Sequence, residues 1–88
     1  MPDKKLKEPL LRLKEALKEI EPADTETRDL LKKLITRLEA KVSEPHEARE
    51  HKQLLDLLKE KVVYFENEHP VIGSTLEEII GILTRMGI

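Results

Sequence analysis

Apolar residues recur along this chain in the three- and four-residue steps of an α-helix. Leu6, Leu10, Leu13, Leu17 and Ile20 form one stripe, and Leu30, Leu31, Leu34, Ile35, Leu38 and Val42 form a second, broader face. The next run is polar from His46 to Lys52, then carries Leu54, Leu55, Leu57, Leu58, Val62, Val63, Tyr64 and Phe65. The last holds Val71, Ile72, Leu76, Ile79, Ile80, Ile82, Leu83 and Met86, with only Glu77, Glu78 and Arg85 charged. No segment alternates with period two, and there is no Asn-Gly or Asp-Gly turn of the kind that joins hairpin strands. The pattern predicts an all-α, antiparallel bundle of four short amphipathic helices in one domain over residues 1–88, at about 3–21, 25–43, 45–68 and 70–87.

Pro9, Pro22, Pro45 and Pro70 punctuate these runs. Proline fits the first turn of a helix but breaks its interior, because it has no N–H and its ring crowds the preceding turn. Two starts stay open for the first helix: Glu8 as cap with Pro9 at the first position, or a start near Asp3 with a kink at Pro9. Asp24 or Thr25 can cap the second helix through a side-chain oxygen, and Ser43 or Glu44 the third. Ser74 with Glu77, and Thr75 with Glu78, match a capping box, so the regular part of the fourth helix could begin as late as residue 74. Gly87 supplies its stop.

The third run is apolar on two sides. Leu57 and Tyr64, seven residues apart, share a face distinct from the Leu58–Val62–Phe65 seam. A helix apolar on two sides needs two neighbours. Four short helices in 88 residues also enclose only a modest core. Both points lead to the expectation of a homodimer centred on residues 54–86, with Leu58, Val62, Phe65, Leu76, Ile79, Ile80 and Leu83 as its assembly core. Gly81 lies within the fourth helix, where glycine costs about 1 kcal/mol relative to alanine. A close helix crossing at Gly81 would account for it.

Composition narrows the chemistry. Leu, Ile, Val and Phe make up 27 of the 88 residues, enough for a folded chain rather than a disordered one. Cysteine is absent, which excludes disulfides, thiolate metal sites and thiol nucleophiles. Ser43 and Ser74 are the only serines, both at expected helix ends, and neither has a glycine-rich elbow nearby. Gly73, Gly81 and Gly87 are too scattered for a phosphate-cradling loop. The expectation is a non-enzymatic protein that needs no cofactor. No apolar run reaches the length of a membrane span, and the charged amino terminus has no signal-peptide core, so a cytoplasmic protein without a membrane partner is expected.

Two binding readings remain. Glu66-Asn67-Glu68-His69 is a Glu-x-x-His string, which in di-iron bundles supplies a carboxylate and an imidazole to the core. His69 precedes Pro70, however, and that position is driven out of helical geometry, so a helix-terminating role fits it better than a metal ligand. His46 and His51 lie five apart, off a common face, and Glu47 and His51 read as an exposed pair. The other reading is nucleic-acid contact. Lys4, Lys7, Lys14 and Lys18 line the first helix, and Arg28, Lys32, Lys33, Arg37 and Lys41 mark the second. Glu8, Glu15, Glu19, Asp29 and Glu39 interrupt these rows and the net charge is −2. Solvated helix faces with i, i+4 pairs are therefore expected rather than a phosphate-binding surface.

The carboxyl-terminal third carries a resemblance. Phe65-Glu66-Asn67-Glu68-His69-Pro70, an apolar helix, and the ending Met86-Gly87-Ile88 resemble a domain-of-unknown-function family of short bacterial proteins. Pro9 within the first helix and Gly73-Ser74 early in the fourth depart from that pattern. The resemblance implies a small helical bacterial protein and brings no activity, ligand or catalytic residue. The reading as a whole is an interaction or scaffold protein working by helix–helix assembly, with a second copy or an unknown protein as partner.

Overall fold

The apolar period is realised as four helices in a computed structural model, which describes residues 2–43 and 48–86. They are α1 (Pro2–Glu19), α2 (Thr25–Ser43), α3 (Ala48–Glu68) and α4 (Pro70–Met86), with no strand among the described residues. Ser43 is the last residue of α2; its side chain, the expected cap at Glu44, the start of the third helix near 45, His46, Glu47 and the stop at Gly87 fall outside what is described.

The turn chemistry explains the ends. Asp24 resolves the choice of cap for α2: its Oδ1 accepts the Thr27 N–H at 3.3 Å, and its carbonyl accepts the Arg28 N–H at 3.2 Å. Arg28 in turn donates to the Ile20 carbonyl at 3.4 Å, satisfying an acceptor that the end of α1 leaves open. Between α3 and α4 a single residue intervenes. The His69 N–H completes α3 on the Phe65 carbonyl at 2.7 Å, and its own carbonyl receives the Gly73 N–H at 3.0 Å. Pro70, with its fixed φ and no N–H to satisfy, is thus the first residue of α4. Ser74 and Thr75 are not caps; they lie inside the helix, where the Thr75 hydroxyl donates back to the Val71 carbonyl at 2.8 Å. α1 takes the early start and contains Pro9, whose side chain is fully buried.

Each helix runs antiparallel to its neighbours around a square. Arg12 reaches Glu78 between α1 and α4, Thr27 reaches Tyr64 between α2 and α3, and Glu66 abuts Gly73 between α3 and α4. Packing is closest between α3 and α4 and slightest between α2 and α3. Leu13, Leu31, Leu34, Leu58, Phe65, Leu76, Ile79 and Leu83 are wholly shielded and draw on all four helices, forming one core. The radius of gyration is 12.4 Å, against about 12 Å for a folded chain of this length.

Candidate functional site

The residues expected between two copies lie instead inside one. Leu58, Phe65, Leu76, Ile79 and Leu83 are inaccessible to solvent, Val62 is buried, and Ile80 is half-buried. The premise was that α3 has one apolar face too many for a single chain. The structure corrects this in part: the Leu58–Val62–Phe65 seam is buried in the shared core, and α2 meets the Leu57–Tyr64 face at Thr27 while leaving Tyr64 40% exposed. Leu57 is half-buried against the core, and the Tyr64 hydroxyl shares a 2.8 Å hydrogen bond with that of Thr27, which is itself buried. Tyr64 also meets Phe65 edge-on, with ring centroids 5.3 Å apart.

The close crossing within the chain is at Gly73, not Gly81. A Cβ added to Gly73 would stand 2.9 Å from the Glu66 Cα, a backbone contact that cannot yield cheaply. A Cβ on Gly81 would meet only the tip of Arg85, with Nη1 3.8 Å away. Gly81 therefore marks an open stretch of α4. One turn before it is exposed Glu77 and one turn after it exposed Arg85, and neither forms an ion pair among the described residues. The residue preceding Gly81, Ile80, is half-buried.

A second opening follows from the thin α2–α3 packing. Arg37, Ala40, Lys41, Glu50, Gln53 and Leu54 line a shallow groove of about 240 Å³. Partial burial there lowers the pKa of Lys41, opposed by the nearby Glu50 charge. A further open groove of about 350 Å³ lies between α1 and α4, lined by Lys5, Glu8, Pro9, Glu78, Ile82 and Arg85, and ion pairs flank α1. Arg12 pairs with Glu78 at 2.7 Å, and this hydrogen bond raises the guanidinium pKa still further. Lys14 pairs with Glu39 across α1 and α2.

No group of three or more His, Cys, Asp or Glu side chains is placed to hold a metal among the described residues. His69 is the hinge between α3 and α4, its ring tilted against Phe65. His51 is buried rather than exposed, and its Nε2–H donates to the Leu83 carbonyl at 3.0 Å. That carbonyl is near the end of α4, where helical acceptors lack partners. The signal was present in the sequence: His51 extends the Leu54–Leu58–Val62–Phe65 stripe by one step of three. Gly73 and the Thr27–Tyr64 pair had no such one-dimensional signal.

The basic residues are dispersed. Lys14 is paired, Arg28 is half-buried against the Ile20 carbonyl, and Lys41 lies half-buried in the α2–α3 groove. Lys7, Lys18, Lys32, Lys33 and Arg37 are exposed, but Arg37 borders the α2–α3 groove while Arg28 and Lys14 border the opposite, α1 side of α2. The Lys4 side chain lies outside the described residues. No helix among those described is long and apolar enough to cross a membrane.

Neither a curated protein nor a solved structure matches the chain. A family does: the model of the domain of unknown function DUF4404 matches residues 6–88, all four helices save the first residues of α1, and the chain belongs to that family.

Proposed function

We propose that this is a non-enzymatic interaction protein of the cytoplasm that works by helix–helix association, its first partner being a second copy of itself. The observation that supports this reading is the outer face of α4. Gly81 lies in the interior of that helix, where it weakens the helix by about 1 kcal/mol relative to alanine, and no neighbour within the chain needs the missing side chain. The outer contour of α4 is therefore low where two helices could approach closely. A surface contact of this kind asks no catalytic group of the chain and leaves the intrachain core intact.

The reading is tested by mixing untagged protein with a copy fused to a larger, inert carrier and separating the mixture by size. A species holding both copies is expected to grow in with total concentration. Two species that never mix, from micromolar to millimolar protein, would refute self-association.

A further inference from the structure

The outer face of α4 has a property that fixes how two copies meet. Glu77 lies four residues before Gly81 and Arg85 four residues after it. Successive helical residues turn by 100°, so the three side-chain positions fall within an arc of about 80° on one side of α4. A two-fold axis through Gly81, with the two helices antiparallel, sets residue 77 of each copy opposite residue 85 of the other. The stripe is then its own electrostatic complement, as an isologous contact requires.

We infer that the protein forms a two-fold dimer in which α4 crosses α4 of a second copy antiparallel at Gly81, with Glu77 of each copy paired to Arg85 of the other. The inference rests on the self-association proposed above and adds its face, direction and register.

Three observations favour a second copy as the occupant of this face. The first is the charge symmetry itself: a parallel pairing would oppose Glu77 to Glu77 and Arg85 to Arg85, which is repulsive. Second, both side chains are exposed and without an ion-pair partner among the described residues, in contrast to Glu78, the residue after Glu77, which is held by Arg12. Third, the Arg85 guanidinium lies across its own Gly81, with Nη1 3.8 Å from where a Cβ would stand. Turning it toward the Glu77 of a second copy uncovers the glycine and lets the two helix backbones approach at the lower end of the usual 8–10 Å axial separation.

Charge reversal tests the register on the full chain. Glu77→Arg and Arg85→Glu each turn two attractions into two repulsions, so each variant alone should dimerise about tenfold more weakly in sedimentation velocity. The two variants mixed in equal amounts restore both pairs, as does the double variant E77R/R85E, and both samples should recover wild-type affinity to within about threefold. Because neither side chain has a partner among the described residues, all variants should keep wild-type helicity and melting temperature. Gly81→Leu should retain the fold and lose the dimer. If the wild type dimerises and the single reversals dimerise equally well, this register is wrong while self-association stands. If wild-type protein remains monomeric up to millimolar concentration, self-association itself is wrong.

Discussion

The two glycines inside α4 carry opposite expectations, although the chain presents both simply as glycine in a helical pattern. Alanine at Gly81 has room for its Cβ and should stabilise the monomer by up to about 1 kcal/mol through helix propensity. Alanine at Gly73 must push the Glu66 backbone away. Overpacking of that kind typically costs 1–3 kcal/mol, so Gly73→Ala should be destabilising by up to about 2 kcal/mol after the propensity gain is subtracted. Urea titrations of both variants followed by circular dichroism check the pair, and equal effects of the same sign would contradict this account. The sequence suggested a close crossing at Gly81. It could not show which of the two faces another helix, because the residue that makes the contact, Glu66, lies on a different helix and is itself ordinary. His51 is the opposite case. It keeps step with the buried stripe of α3, and only its polarity hid its burial.

At the scale of the helix, period and punctuation were legible. The observed ends lie within two residues of those expected wherever both are described. The errors came from polar residues with more than one possible use. Ser74 and Thr75 have the spacing of caps, but Pro70 pre-sets the first turn and the His69 carbonyl accepts the first bond of α4, so no second start is needed. Tyr64 illustrates what pattern alone cannot supply. Its face on α3 was recognised as needing a neighbour, but whether that neighbour is α2 or another molecule depends on the tertiary arrangement. The Thr27–Tyr64 hydrogen bond spans the most thinly packed edge of the bundle. Tyr64→Phe should leave the buried Thr27 hydroxyl without this partner and lower stability by about 1 kcal/mol. Hydrogen exchange should also quicken along α2 and α3 before it does in α4. Unchanged stability and exchange would mean that α2 is held on α3 by its apolar contacts alone.

For the whole molecule, fold class followed from the sequence because every segment agreed with it: helical period, proline at the boundaries and no competing strand pattern. What failed was the step from apolar surface to assembly. Counting apolar faces helix by helix left one over on α3. In the square arrangement each helix has two neighbours, and α2 covers that face in part, with Leu57 half-buried and Tyr64 still 40% exposed. Leu58, Phe65 and Leu83 are therefore the centre of one bundle, and Phe65→Ala should cost about 3–5 kcal/mol. That is enough to unfold most of a bundle this small, and it would be seen as loss of a cooperative melt. Self-association must use what remains outside, and the outer face of α4 has the low contour and symmetric charge for it. The basic rows, by contrast, are divided between two sides of α2 and partly engaged in pairs.

The most direct test of the central claim is the absolute mass of the wild-type chain in solution, by light scattering after size exclusion over a hundredfold range of concentration. The account predicts a weight-average mass that rises with concentration from 10.2 kDa toward twice that value and no further, as a closed two-fold contact requires. A mass fixed at that of the single chain throughout the range would contradict it.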